Sequence, residues 1–165
     1  MTKALEAPEI CRITTGSDLE TAELAAKVAA VLQSGDAVLL SGPIGVGKSL
    51  FARAAMRALG VTEDIPSPTF TLVQTYQAGG HEIWHADLYR LSDPDEIMEL
   101  GLIDAFAEAI VFVEWPELLV RDAPQNALEI TFDIGESADQ RDLSFACNSA
   151  RLTAAIKALS CPSAA

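Results

Sequence analysis

Two short stretches of the chain are apolar without interruption, Ala37-Val-Leu-Leu-Ser41 and Ala109-Ile-Val-Phe-Val113. Such runs predict strands covered on both faces, because a solvated face would show as a polar residue at every second position. Elsewhere the period lengthens. Leu24, Val28, Val31 and Leu32 share one side of a predicted helix that opens at Ser17-Asp-Leu-Glu20, with a hydroxyl at the cap and Glu three residues on, and runs to about residue 32, where Gly35 stops it. A second helix is predicted over 48–59, closed by Gly60. Residues 69–76 and 82–89 are rich in β-branched and aromatic side chains and flank Ala78-Gly-Gly80, which reads as a hairpin. Residues 12–14 suit a short edge strand. Asp93-Pro-Asp-Glu96 opens an acidic helix with Pro in its first turn, ended by Gly101. A short helix over 102–108, strands over 127–134 and 141–147 and a closing helix over 151–159 complete the pattern. Helices alternating with buried strands predict one α/β domain over 1–165, a mixed, mostly parallel sheet with helices on both faces. Residues 1–10 and 160–165 carry no pattern to bury and are expected as loose ends.

Composition narrows the function classes. The chain has 165 residues, half of them apolar, and Lys plus Arg number 11 against 24 Asp plus Glu, a net charge of −13. That balance disfavours autonomous grip on nucleic acid, whose affinity rests on basic contacts to phosphate. No apolar run approaches the ~18–20 residues of a membrane span, and the first ten residues lack the apolar middle of a signal peptide, so a cytoplasmic location is expected. Cys11, Cys147 and Cys161 lie too far apart in sequence for metal-ligand or redox spacing.

The strongest chemical signal is Gly42-Pro-Ile-Gly-Val-Gly-Lys-Ser49, a G-x-x-x-x-G-K-S loop between a predicted strand and a predicted helix. Glycines at 42, 45 and 47 let the backbone wrap so that successive N–H groups, including those of Ile44 and Val46, point at phosphates; the helix N-terminus adds partial positive charge. Pro43 removes one N–H from the loop entrance. Lys48 reaches the β- and γ-phosphates and the Ser49 hydroxyl suits Mg²⁺. A second signal is the acid that ends a buried strand, Glu114, where P-loop folds place a residue facing Mg²⁺. In His85-Ala-Asp-Leu-Tyr-Arg90, alternation puts His85, Asp87 and Tyr89 on one face. Asp87 there either holds the metal or its water shell, orients the attacking water, or pairs with His85. Ser67-Pro-Thr-Phe70 is either a phosphate-sensing switch segment or a plain turn. Asp93, Asp95, Glu96 and Glu99 form an acidic helical face, ordinarily a solvated one.

Four blocks in order, Ser41-Gly-Pro-Ile-Gly-Val-Gly-Lys-Ser49, Ser67-Pro-Thr-Phe-Thr-Leu-Val73, His85-Ala-Asp-Leu-Tyr-Arg-Leu91 and Val113-Glu-Trp-Pro116, resemble the TsaE family of bacterial P-loop ATPases. The resemblance covers about residues 12–155 and implies a P-loop NTPase-like fold. It implies ATP or ADP in the loop, Mg²⁺ at Ser49 and Glu114, Asp87 near metal and γ-phosphate, and catalytic roles for Asp87, Glu114 and Lys48. It further implies Thr69 in a switch-like segment, Trp115 beside the site, and nucleotide contacts near Asp18 and near Gln140-Arg141. Gln140 stands where the family often has Gly, Pro43 where an acid is common, and Ser49 where Thr is common. The family resemblance also implies the role of an accessory in making N6-threonylcarbamoyladenosine in tRNA, acting on the proteins TsaB and TsaD and reaching tRNA only through them, with no membrane partner.

Other P-loop classes fit less well. A small-molecule kinase ordinarily carries an arginine-bearing lid, whereas Arg90, Arg121 and Arg141 are scattered; a GTPase switch needs an N-K-x-D-like segment, which is absent; a nucleotide sensor would bind without turnover. No arginine finger is evident in the sequence, so slow hydrolysis by the isolated chain is expected.

Overall fold

The computed structural model describes residues 7–66 and 72–160. Its strands are β1 (Glu9–Thr15), β2 (Ala37–Ser41), β3 (Val73–Ala78), β4 (His81–Asp87), β5 (Ile110–Glu114), β6 (Leu128–Ile134) and β7 (Arg141–Ala146). The helices are α1 (Asp18–Ala29), α2 (Lys48–Leu59), α3 (Asp95–Glu99), α4 (Leu102–Glu108) and α5 (Ala150–Ser160), and a 3₁₀ segment that the apolar pattern does not announce covers Pro116–Asp122.

The strands form one sheet in the order β1-β7-β6-β2-β5-β4-β3. β6, β2, β5 and β4 run parallel side by side, while β7 and β3 run against their neighbours. β1 pairs antiparallel with β7, which returns it to the common direction. The two uninterrupted apolar runs are central neighbours, β2 and β5, as burial on both faces requires. Alternation then sorts their side chains. Val38, Leu40, Ile110 and Phe112 join α1, α2 and α5 in one core. Ala37, Leu39, Val111 and Val113 join α3, α4 and the 3₁₀ segment in another. Helices therefore cover both faces of a mixed α/β sheet.

Local chemistry sets the boundaries. The Ser17 hydroxyl accepts from Glu20 N at 3.1 Å and Glu20 Oε1 accepts from Gly16 N at 2.8 Å, so the capping sequence works reciprocally. α1 ends at Ala29, short of the expected 32, because Val31 N and Leu32 N bond three residues back, to Val28 O and Ala29 O, tightening the last turn. Gly60 closes α2 in the left-handed conformation, as expected.

The hairpin of β3 and β4 turns at Gly79 and Gly80, both with positive φ. A side chain at Gly79 would bring a Cβ within 2.8 Å of Leu59 O. The expectation of a strand reaching Tyr89 fails at its end. Leu88 N makes the last bond to β5, to Glu114 O, and Asp87 Oδ1 then accepts from Tyr89 N at 2.9 Å, a turn that takes the chain out of the strand. The first residues of the other predicted strand, 69–71, fall outside the described residues.

Candidate functional site

The parallel strands bring their carboxyl ends together at one edge of the domain, where open α/β sheets bind ligands. β2 feeds the glycine loop and then α2. The ladder register sets Leu40 beside Glu114 and Glu114 beside Asp87. Phe112 and Ile83 point into the core beneath α2, so by alternation Glu114, His85 and Asp87 face the same side, toward the start of that helix. The loop, Glu114 and Asp87 line one cleft of about 480 Å³, within the roughly 300–1,000 Å³ usual for small-molecule sites.

The loop holds the shape its glycines permit. Gly42, Gly45 and Gly47 all have positive φ. A Cβ on Gly42 would stand 2.6 Å from Phe132 O, so that position needs glycine for space as well as for conformation. Arg141, at the start of β7, lines the cleft and braces the loop. Its Nε donates to Val46 O at 2.8 Å, and its Nη1 donates to Ala138 O and Gln140 O.

Lys48 is buried and donates to Gly42 O and Pro43 O, with its ammonium 3.6 Å from the centroid of the Trp115 ring. Burial lowers its pKa from the ordinary lysine value, opposed by the charges of Glu114, Glu117 and Asp87. Trp115 reaches this position through a left-handed backbone, φ 57°, and packs on Tyr89 at 4.7 Å between ring centroids. The backbone N–H of Trp115 donates to Leu40 O, which ties the turn after β5 back to β2.

Glu114 is the hub. It is buried, and its Oε1 and Oε2 accept from the Ser49 hydroxyl at 2.8 and 3.0 Å. His85, fully buried, places Nε2 2.6 Å from Glu114 Oε2, while its Nδ1 has no partner among the described residues. The pairing open in the sequence, His85 with Asp87, is thus His85 with Glu114. The bond fixes the tautomer: Nε2 carries the proton and donates, and the carboxylate is held aimed at Ser49.

Most of the residues singled out in the sequence converge. Asp18, Ile44, Gly45, Gly47, Lys48, Ser49, Asp87, Glu114 and Arg141 line the cleft, and Gly42, Pro43 and Val46 complete the loop behind it. Gln140 does not line it. Its Oε1 accepts from Glu136 N and its O from Gly135 N, so it closes the turn between β6 and β7. Thr69 and the rest of the Ser67–Phe70 block lie outside the described residues. Leu50 and Arg53, on the first turns of α2, and Tyr89 also line the cleft. Leu50 and Arg53 escaped notice because a loop motif ends at its hydroxyl. Helical spacing from Ser49 was the signal that places Arg53 on the same side.

Comparison with known proteins agrees with this geometry. The family model described as "Threonylcarbamoyl adenosine biosynthesis protein TsaE" matches residues 15–143. A Rickettsia bellii protein named tRNA threonylcarbamoyladenosine biosynthesis protein TsaE is 40% identical over 119 residues, 72% of this chain and 83% of its own. A protein of the same name from Bacillus subtilis is 35% identical over 127 residues, 76% of this chain and 78% of its own. The crystal structure of Bacillus subtilis YdiB superposes with a TM-score of 0.76 at 26% identity, covering 94% of this chain and 97% of that one. The family-model match and these relatives carry the assignment, and the fold and cleft are consistent with it: the chain belongs to the TsaE family.

Proposed function

We propose that this protein binds ATP with Mg²⁺ and hydrolyses it to ADP as an accessory in making N6-threonylcarbamoyladenosine in tRNA, acting in the cytoplasm on a complex of TsaB and TsaD. The biological part of the reading rests on the relatives, which carry that biosynthesis in their names. The chemical part rests chiefly on one observation, the Ser49 hydroxyl 2.8 Å from Glu114 Oε1 at the mouth of a glycine loop.

The donor set suits a hard cation. Ser49, Glu114 and Asp87 offer oxygen only, as Mg²⁺ prefers. Among the described residues no three carboxylate, imidazole or thiol groups form a self-sufficient cage; a cation here would take its remaining ligands from phosphate and water, as Mg²⁺ does in phosphoryl-transfer sites. Bound there, the cation would neutralise charge on the β- and γ-phosphates. The chain's own groups do the rest. Loop N–H groups of residues 44–48 hold the phosphates. Lys48 exchanges its carbonyl partners for phosphate oxygens. Glu114, held by His85, orients the metal side, and Asp87 positions the water shell or the attacking water. Thr69 serves as the reporter of the γ-phosphate. With a net charge of −13, the chain meets tRNA through its partners and does not grip it alone.

The test is steady-state ATP hydrolysis with Mg²⁺, by the protein alone and then with purified TsaB, TsaD and tRNA. Slow turnover alone and strong stimulation by the partners are expected, with both lost in Lys48→Ala. Intact nucleotide binding without stimulation, or normal turnover by Lys48→Ala, would overturn the reading.

A further inference from the structure

The cleft is lined by three carboxylates, Asp18, Asp87 and Glu114, and three cations, Lys48, Arg53 and Arg141. The cations are not equally engaged. Lys48 bonds to Gly42 O and Pro43 O and faces the Trp115 ring. Arg141 spends Nε and Nη1 on the carbonyls of Val46, Ala138 and Gln140. Arg53 has no hydrogen bond or ion pair among the described residues, although carboxylates line the same cleft. Its guanidinium is therefore uncommitted, in a chain whose net charge of −13 otherwise repels a polyanion.

Its place on α2 says which part of a nucleotide it meets. Arg53 follows Ser49 by four residues, one turn along the same side of the helix, about 6 Å of rise. Ser49 faces Glu114, the proposed metal end of the cleft. Helical side chains lean toward the N-terminus of their helix, so a guanidinium one turn on that lines this cleft reaches back toward the end Ser49 marks, where the terminal phosphate would lie.

We propose that Arg53 contacts the γ-phosphate of the bound triphosphate and is a catalytic arginine supplied by the chain itself. The inference rests on the ATPase reading above and supplies the cation that the sequence did not reveal. In the step it serves, the water oxygen bonds to the γ-phosphorus as the bond from that phosphorus to the bridging oxygen breaks. The electron pair leaves with ADP, and the water's proton passes to the product phosphate or solvent. The guanidinium meets the charge that spreads over the γ-oxygens, two of which it can bind at once.

Calorimetric titration of the wild type, Arg53→Ala and Arg53→Lys with ADP and with a non-hydrolysable ATP analogue, all with Mg²⁺, tests this directly. Arg53→Ala is expected to weaken the triphosphate about tenfold or more while leaving ADP within about twofold, and to lower partner-stimulated kcat by about 10²–10³-fold, the effect of removing one preorganised charge donor. Arg53→Lys should recover part of both. Equal weakening of ADP and triphosphate, or no change in either, would overturn the proposal and leave Arg53 as a solvated helix residue. If the wild type binds the triphosphate yet never hydrolyses it, the ATPase reading fails, while the ratio of the two affinities still decides the contact. Unchanged urea midpoints, expected for an exposed side chain, exclude a folding defect.

Discussion

Replacing Glu114 by Ala separates two roles of one carboxylate. In the wild type this buried group accepts from Ser49 and from a fully buried His85 whose other ring nitrogen has no partner among the described residues. Glu114→Ala leaves His85 Nε2–H without an acceptor inside the domain, a loss of about 1–3 kcal/mol for an unsatisfied buried donor. Truncating the side chain's buried methylene adds about 1 kcal/mol. The sum, about 2–4 kcal/mol, corresponds to a fall in Tm of roughly 4–16 °C for a domain of this size. Glu114→Gln keeps an acceptor oxygen for His85 and nearly the same volume, so its loss should stay below about 1 kcal/mol. Urea unfolding, with equal m-values required for a valid comparison, measures both. The same two proteins should both lose Mg²⁺-dependent turnover, because the amide lacks the charge a cation needs. A double-mutant cycle with His85→Leu should return a coupling of about 1 kcal/mol or more. Glu114→Gln as unstable as Glu114→Ala would refute the argument, since the hydrogen bond to His85 would then carry none of the stability.

Further outcomes follow from the geometry. Gly42→Ala should destabilise by about 1–3 kcal/mol and abolish nucleotide binding, as its Cβ meets Phe132 O at 2.6 Å, whereas Gly45→Ala, with open space around it, should lose only about 1–2 kcal/mol for its positive φ; chemical denaturation and nucleotide titration distinguish them. Glu129, half-buried in β6, has its pKa raised above the ordinary carboxylate value by burial. The folded state therefore holds this proton more tightly than the unfolded state, and stability contributed by the group falls as pH rises from about 4.5 through the folded value. Glu129→Gln should remove that decline and stabilise the protein at neutral pH; a stability–pH profile unchanged by the substitution would contradict this.

The sequence showed some parts of the site and hid others for physical reasons. The glycine loop and the acid at the end of β5 were legible because each is fixed by residues adjacent in the chain. That Asp87 stands beside Glu114 was not legible from the pattern of residues alone, since β4 and β5 are joined by a long excursion and their register is set by pairing across it. Strand order is hidden for the same reason: β6 takes its place beside β2 through a ladder between segments far apart in sequence. A pairing of His85 with Asp87 stayed one open alternative, and Glu114 as the partner was hidden, because alternation reports the face of a strand and not the neighbour beyond it. Gln140 was expected at the nucleotide, but its side chain is recruited by the turn it sits in. Nothing local in the sequence sets Arg53 apart from other helical arginines; only the folded cleft it lines does.

The ladder between β4 and β5 has one more consequence. Asp87 and Glu114 are held abreast by hydrogen bonds within the sheet, and the chain between them wanders away to build α3 and α4 over the opposite face. Length changes in that excursion are thus mechanically insulated from the spacing of the two acids. A single residue inserted inside either strand is not, because it would turn one carboxylate to the other side of the sheet. The exposed run at residues 92–94, ahead of α3 and its buried Ile97, is accordingly where this scaffold has freedom to diversify, and where a reporter or a new recognition surface can be grafted with the two acids still abreast.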